Sequence, residues 1–341
     1  MKQVFKQTRF NVILVISLIY LSAACKTTKT SIKASETITI QEVNKIFSIT
    51  EQKICNPAFV QSKEWSMFKK EMLSEKNLKL DRISFGKQFN LKRKSLPFTH
   101  YYLKLNQKKS KKKQLKKEAF VLKKLSDKTM LLEIRVFSAE AKKMNTILNQ
   151  LRETNYSNLI IDLRENRGGT LNAAVPLVQY LTDKLVHGGY FLSRAWFEQH
   201  KDYPTNEQLK QFTPLMDPTY QGFTKKMQKD KGMSLVIPPN GKPIFKGNIF
   251  ILTSGLTGSA CEPFVFGLRH NEIGTVVGQK TAGAMLSGYT VKINKLYSLF
   301  MPFADYVTVT NQRIDKVGVE PDIEVASEKA LDYVLDKLIA D

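Results

Sequence analysis

Cysteine is scarce in this chain. The 341 residues include only three cysteines, and two of them, Cys55 and Cys261, are far apart in sequence with apolar neighbours. This distribution excludes a disulfide framework and a cysteine metal cluster as the basis of the fold. We therefore expect packing to supply the stability, and we expect no metal ion or cofactor.

Long apolar runs are also scarce. The run near the N-terminus, VILVISLIYL, has about ten residues, whereas a membrane-spanning helix needs roughly 20. Basic residues precede this run and the small residues of SAAC follow it, so residues 1–25 are predicted to be a signal peptide. The end resembles a bacterial lipobox, with Ser22 where leucine is usual.

Three interpretations of Cys25 remain: lipidation, simple cleavage before or near it, and an ordinary residue of an uncleaved tail. Lipidation is the interpretation we favour. Residues 26–37 are polar and without apolar periodicity, and they are predicted to be a tether. We therefore expect an exported protein of the cell envelope, lipid-anchored to a bacterial membrane in the periplasm or on the cell surface.

Acidic residues are few, with 31 against 53 lysines and arginines, which gives a net charge of +22. Ten lysines and one glutamate lie between Lys104 and Lys124. Such a run is usually solvated, here at a hairpin tip. Alternatively it is attracted to an anionic membrane surface, at about 1 kcal/mol per residue. Nucleic acid is not an expected partner, because an exported chain would not meet it.

The chain divides by pattern into a helical part and an α/β part. Apolar spacing predicts a small helical element over residues 38–98, with Pro57 between two helices. Residues 99–137 are strand-like and predict a β-hairpin region with the lysine run as its first connection. A further helix is predicted at the C-terminus, over residues 327–341.

Two strand–turn–helix units follow the hairpin region. In the first, NLIIDLREN leads through NRGG into TLNAAVPLVQYLT; in the second, GNIFILTSG leads into SACEPFVFGLRHN. Their continuously apolar strands predict an α/β fold with a largely parallel sheet buried on both faces. Residues 190–246 show no dominant period and are either an insertion that covers a cleft or a long connection.

The turns at the carboxyl ends of these strands are where ligands gather in α/β sheets. Ser259 begins the second helix, so two interpretations are open. It is a helix N-cap, with Glu262 completing a capping box. Alternatively it is a nucleophile beside N–H groups suited to a developing oxyanion. Gly168 and Gly169 can bring further N–H donors close, because they carry no side chain.

Four blocks occur in one order: NLIIDLRENRGGTLNAAVPLVQYL, FILTSGLTGSACEPFVFGLR, TVVGQKTAGA and KVGVEPDIEV. Together they resemble the tail-specific, or C-terminal processing, serine peptidases, a family that includes the tricorn core and the interphotoreceptor retinoid-binding protein modules. The resemblance covers residues 130–326 of a domain predicted to span residues 99–326. No PDZ domain fits before the core.

This resemblance implies a ClpP/crotonase-like α/β core and hydrolysis of peptide bonds in a protein or peptide substrate. It assigns Ser259 as the nucleophile and the N–H groups of Ala260 and of Gly168 or Gly169 as oxyanion donors. It implies a serine endopeptidase that works through an acyl-enzyme. The alternative is a module on the same fold that binds a peptide or apolar ligand and has lost catalysis.

The general base departs from the family pattern. The lysine of the processing peptidases corresponds to Ala284, and the histidine of the tricorn branch corresponds to Arg135. His100, before the first strand of the domain, is the favoured base, ahead of Lys280 beside the T-x-G turn. His270, along the helix that Ser259 begins, is too far from the serine for contact.

Other polar residues keep two interpretations each. Asp315 either orients His100 or is a surface or turn aspartate, which is the interpretation we favour. Asp162 and Arg164 either brace the sheet end by ion pairing or contact substrate. The sequence does not rank His187 or His200.

Overall fold

The computed structural model describes residues 36–106, 118–137 and 140–339. The predicted signal peptide, Cys25, nearly all of the tether and the central part of the lysine run lie outside these residues. The described residues make one compact unit. None of the helices in the described ranges is both long and apolar enough to cross a membrane.

Helices occur mainly before the first strand and between the strands. In chain order they are α1 (Ile40–Lys53), α2 (Lys63–Met72), α3 (Glu75–Leu78), α4 (Arg82–Lys92), α5 (Ala141–Arg152), α6 (Ala174–Leu181), α7 (Arg194–His200), α8 (Asn206–Leu209), α9 (Tyr220–Lys229), α10 (Cys261–His270) and α11 (Ala330–Tyr333). A 3-10 turn at Pro57–Gln61 separates α1 from α2, and a π-helical turn at Val334–Leu338 follows α11.

The strands form two sheets. In chain order they are β1 (Tyr102–Leu105), β2 (Phe120–Lys124), β3 (Thr129–Ile134), β4 (Asn158–Asp162), β5 (Val186–Ser193), β6 (Gly232–Ile237), β7 (Asn248–Thr253), β8 (Thr275–Gly278), β9 (Ser287–Lys292), β10 (Tyr297–Val307) and β11 (Ile323–Glu324).

The first sheet has the order β11-β8-β7-β4-β3-β2. Every neighbouring pair is parallel except β2 with β3. Side chains alternate across its two faces, so Leu159 and Ile161 of β4 pack under the helices while Ile160 packs against the C-terminal helical segment. The predicted α/β fold with a largely parallel sheet, buried on both faces, is confirmed.

The second sheet is antiparallel and has the order β1-β10-β5-β6, with β9 also paired to β10. One face of this sheet, with Leu299 and Met301, shares a hydrophobic core with the helices of residues 38–98. The helical element therefore packs directly onto strands that come much later in the chain.

The prediction that the lysine run is the connection of a β-hairpin is wrong. β1 pairs with β10 in the antiparallel sheet, whereas β2 pairs with β3 in the parallel one. The lysine run therefore connects two sheets and is not the tip of a hairpin. The hairpin of this region is β2–β3, whose tip lies at residues 125–128. Local strand patterns carry no information on which strands pair, so a pairing of β1 with β2 cannot be told from the observed one by sequence.

The second sheet was also largely missed by the sequence interpretation. Residues 190–246 contain the end of β5 and the whole of β6, with α7, α8 and α9 between these two strands. Paired glycines in β5 and Pro302 within β10 break the alternation that would indicate strands. Residues 190–246 are thus a folded part of the domain, and some of them line the cleft described below.

Candidate active site

Ser259 lies in the turn between β7 and α10. Its φ of +57° is left-handed, a conformation that is strained for a residue with a side chain. Its N–H donates to Glu262 Oε2 at 3.0 Å, but its hydroxyl oxygen faces His100 Nε2 at 3.4 Å. The helix-cap interpretation is therefore wrong: Ala260 is the N-cap, and no side-chain cap bond forms there.

His100 comes from the start of the other sheet, two residues before β1. It too has a left-handed backbone, with φ +55°. Its Nδ1 lies 3.0 Å from Thr99 Oγ1, and its ring lies beside that of Phe300, with 5.7 Å between centroids. The fold thus brings the favoured base to the predicted nucleophile from 159 positions away.

Asp315 completes a chain of polar contacts behind His100. The Thr99 hydroxyl donates to Asp315 Oδ1 at 2.5 Å, and the Thr99 N–H donates to Oδ2 at 3.1 Å. Since this hydroxyl donates to the carboxylate, it is left to accept from the Nδ1–H of His100. Asp315 does lie in a turn, as the favoured interpretation allowed, but its side chain is buried and is not on the surface.

Thr99 was missed by sequence reasoning. The one signal was its position directly before His100, which does not by itself indicate contact with a distant carboxylate. Asp315 reaches the imidazole only through this hydroxyl. It also accepts from Arg313 Nη2 at 3.0 Å, so the buried carboxylate is paired.

Burial and neighbouring charge set the protonation of this group. Burial, with help from the Arg93 guanidinium, lowers the pKa of His100 to about 4. Burial raises the pKa of Asp315 to about 6, against the opposing effect of Arg313. At neutral pH the imidazole is therefore uncharged and Asp315 is ionised, which leaves Nε2 able to accept a proton.

The glycine turn lies beside the serine. A Cβ on Gly168 would be 2.5 Å from Ser259 Cβ, and one on Gly169 would be 1.9 Å from the Phe137 carbonyl oxygen. The Gly168 N–H donates to Asn166 Oδ1, whereas those of Gly169 and Ala260 meet no acceptor among the described residues. Of the two glycines, Gly169 therefore has the N–H free to donate.

Glu262 joins the serine turn to the loop after β8. Its buried carboxylate accepts from the Ser259 N–H, the Thr281 hydroxyl and the N–H groups of Gly283 and Ala284. Burial raises the pKa of Glu262 to about 7, while these hydrogen bonds oppose the shift. Glu262 lies in the first turn of α10, and its side chain holds two loops together.

The lower-ranked base Lys280 is not brought to the serine. Its ammonium forms a half-exposed ion pair with Glu320 at 2.7 Å, and Lys280 does not line the cleft. Ala284, in the place of the family lysine, lies beside the serine turn, where a Cβ on Gly258 would be 3.6 Å from its own. The methyl side chain of Ala284 cannot act as a base.

The remaining histidines serve in packing. The ring of His270 stacks on Phe266, that of His200 stacks on Trp196, and that of His187 lies against Tyr190. None of the three lines the cleft at Ser259.

Ion pairs account for the charged residues at the ends of β3 and β4. Arg135 pairs with Glu133 at 2.7 Å, and Arg164 pairs with Asp162 at 2.7 Å. Arg164 also donates to the Ser327 carbonyl oxygen, which ties the sheet end to the C-terminal segment. Both arginines line a polar pocket separate from the cleft that contains Ser259.

A cleft of about 150 Å³ opens over Ser259 and His100. Pro218, Tyr220 and Phe223, from the region that the sequence left unassigned, form part of its wall. Of the two interpretations of residues 190–246, a segment that covers a cleft therefore agrees with the structure, and a plain long connection does not. No group of three His, Cys, Asp or Glu residues that could hold a metal ion occurs within the described ranges.

A parallel sheet whose strand leads into a helix at a serine, with a neutral histidine facing that serine, is the arrangement of an α/β serine hydrolase. Residues 128–325, more than half of the chain, match the model of Peptidase family S41. The chain belongs to this family. The resemblance to the C-terminal processing serine peptidases, inferred from four sequence blocks, is confirmed.

Among curated proteins, the chain is similar to the carboxyl-terminal-processing proteases of Picosynechococcus and Synechocystis. It is 24% identical to the first over 211 residues and 26% identical to the second over 204 residues. The matched regions cover 61% and 59% of this chain but only 42% and 39% of those relatives. The chain therefore shares about two fifths of their length.

Among solved structures, a candidate peptidase from Parabacteroides merdae has a TM-score of 0.60 at 14% identity, covering 88% of this chain and 96% of that one. The photosystem II D1 C-terminal processing protease has a TM-score of 0.50 at 12% identity, covering 89% and 98%. At such identities these similarities concern the fold alone.

We predict that His100 titrates near pH 4 in a nuclear magnetic resonance pH titration of the imidazole. Arg93→Gln should raise this midpoint, because it removes the positive charge that disfavours the imidazolium. Lys92→Gln is the matched control and should leave the midpoint unchanged, since Lys92 is paired with Glu71. A wild-type midpoint at or above the ordinary value of about 6.5 would contradict the prediction.

Proposed function

We propose that the chain is a serine peptidase that hydrolyses peptide bonds through an acyl-enzyme on Ser259. The observation that carries the proposal is the 3.4 Å approach of His100 Nε2 to Ser259 Oγ. Apo active sites often show such long contacts, which tighten when substrate binds. The substrate is a protein or peptide, as the membership in a peptidase family supports.

In the first step, Ser259 Oγ attacks the carbonyl carbon of the scissile bond while its proton moves to His100 Nε2. The imidazolium that forms donates its Nδ1–H to Thr99, and the Thr99 hydroxyl donates to ionised Asp315. The buried negative charge of Asp315 thus stabilises the imidazolium without touching it. His100 then protonates the leaving amine, and a water molecule activated by the same imidazole releases the acyl group.

The oxyanion of each tetrahedral intermediate is stabilised by the N–H groups of Gly169 and Ala260. Both groups border the cleft, and neither donates to another atom of the described chain. Asn166 supports this arrangement, because it accepts from Gly168 through Oδ1 and from Gly258 through its carbonyl oxygen. Loss of one such donor costs roughly 10²–10³ in kcat in a serine peptidase.

The alternative of a binding module without catalysis rested on the absence of both bases usual in the family. A histidine within hydrogen-bonding reach of the serine favours the peptidase instead. The polar contacts of His100 through Thr99 to Asp315 add to this support, because a histidine used only in packing does not need them.

A fluorophosphonate probe tests the proposal directly. We expect the probe to label wild-type protein and not Ser259→Ala, since the activated hydroxyl is the group that reacts. His100→Ala should slow labelling at least about 100-fold, the usual contribution of a general base. Ser287→Ala is the matched control, a serine of the same cleft whose loss should leave labelling intact. Labelling that persists in Ser259→Ala would exclude Ser259 as the nucleophile.

Thr99→Val tests the contact between His100 and Asp315. Valine keeps the shape but removes the hydroxyl, so we expect kcat to fall about 10- to 100-fold with KM little changed. Thr99→Ser restores the hydroxyl and should retain most of the activity. The downfield Nδ1–H proton resonance of His100 should shift in the valine variant only. Equal kcat in the valine and serine variants would show that the hydroxyl has no such role.

We propose further that the protein is exported and carries a lipid on Cys25, as the N-terminal sequence supports. Expression in bacteria with radioactive palmitate should label the wild type and place it in the membrane fraction. Cys25→Ser should abolish the label, whereas Cys55→Ser, which alters a buried cysteine, should retain it. A labelled Cys25→Ser protein would refute lipidation at this site.

A further inference from the structure

Aromatic rings lead outward from the cleft along the antiparallel sheet. The Phe300 ring lies 5.7 Å from that of His100 and 4.8 Å from that of Tyr102. On the cleft side, Phe300 lies over Gly288, where a Cβ would come within 2.4 Å of the ring. Phe300 itself lines the cleft. The floor of the cleft therefore continues onto the half-exposed faces of Phe300 and Tyr102.

Two cations lie over these rings, and a third lies on the same face of the sheet. The Arg93 guanidinium lies 5.3 Å from the Tyr102 ring centre, and Lys104 Nζ lies 5.3 Å and 4.8 Å from the centres of Tyr102 and Phe300. Lys292 belongs to the same face, because Ser298 of β10 stands opposite both Lys104 and Lys292. We call Tyr102, Phe300, Arg93, Lys104 and Lys292 the cationic platform.

Arg93 differs from three other arginines that are at least partly buried. Arg82, Arg164 and Arg313 each pair with a carboxylate of the chain. The cations of the cationic platform form no ion pair within the part of the chain that the structure describes. Arg93 Nε is in addition buried without a hydrogen-bond partner there. A half-buried guanidinium with no anion beside it is costly unless a ligand supplies one.

We propose that the cationic platform binds a carboxylate of the substrate polypeptide on the His100 side of the scissile bond. This inference rests on the proposed peptidase function and names its substrate class: chains with an acidic side chain or a free terminal carboxylate at that place. Charge complementarity and continuity with the cleft both point to this occupant. The rings supply an apolar surface for the neighbouring substrate residues, while the cations supply the attraction.

Binding by the full-length Ser259→Ala protein tests the proposal without any need for turnover. Three dansylated peptides of equal length would be compared by fluorescence anisotropy: one with two internal glutamates and an amidated end, one neutral with a free carboxylate, and one neutral and amidated. We expect at least one carboxylate-bearing peptide to bind about fivefold tighter than the neutral amide, a preference that weakens with added salt. The first two peptides distinguish the two sources of the carboxylate.

The same measurement with Lys104→Gln and Lys292→Gln combined should reduce the preference at least about twofold, with Arg93 as the one cation of the platform that remains. Lys242→Gln, an exposed lysine on the loop before β7, is the matched control and should keep it. Equal affinities for all three peptides, or a preference unchanged in the double variant, would overturn the proposal. A third outcome would also overturn the proposal: the double variant loses binding to phosphatidylglycerol vesicles but keeps its peptide preference. The cations would then bind a membrane surface and not the substrate.

If the protein binds these peptides as expected but the wild type shows no hydrolysis and no probe labelling, the peptidase function fails while the carboxylate site stands. If the wild type hydrolyses the peptides with no charge preference, the carboxylate site fails while the peptidase function stands. The hydrolysis of the same peptides by the wild type is measured as well. We expect the preferred carboxylate-bearing peptide to have the lower KM. The two proposals therefore fail on separate observations.

Discussion

The buried carboxylate of Asp315 is the contact on which the arrangement of the site depends. It accepts both the N–H and the hydroxyl of Thr99, and so fixes the backbone directly before His100 and the group that meets His100 Nδ1. An ionised carboxylate in this setting requires a counter-charge, which Arg313 provides. Arg313 also pairs with buried Asp305, whose carboxylate accepts in addition from the Tyr203 hydroxyl and the Tyr306 N–H. The imidazole is thus held by a network that extends well behind the cleft.

The site also depends on the meeting of two sheets. The parallel sheet supplies the serine turn and the glycine turn, because the carboxyl ends of β4 and β7 lie side by side. The antiparallel sheet supplies His100 and, through β9 and β10, the floor of the cleft. Both Ser259 and His100 adopt left-handed backbones. Such strain persists only where surrounding contacts determine it, here Glu262 for the serine and Asp315, through Thr99, for the histidine.

Much of the parallel half of this arrangement was predictable. Continuous apolar strands followed by glycine-bearing turns and helices indicate buried βα units, and the sequence therefore located Ser259, Ala260 and the glycine pair at one sheet edge. The antiparallel half was not predictable in the same way. Its strands are interrupted by glycine and proline, and their partners come from distant segments, so the lysine run was assigned to the wrong connection. The role of Asp315 was misjudged because local sequence does not reveal that a turn aspartate is buried.

By itself, the sequence determined the fold class, the peptidase family and the position of the serine, because those follow from local periodicity and from short motifs with fixed spacing. Only the tertiary structure decided which histidine faces the serine, that Thr99 lies between it and Asp315, and which glycine keeps a free N–H. The physical reason is that hydrogen bonds and burial depend on distances in space. The Thr99–Asp315 contact, for example, joins residues 216 positions apart.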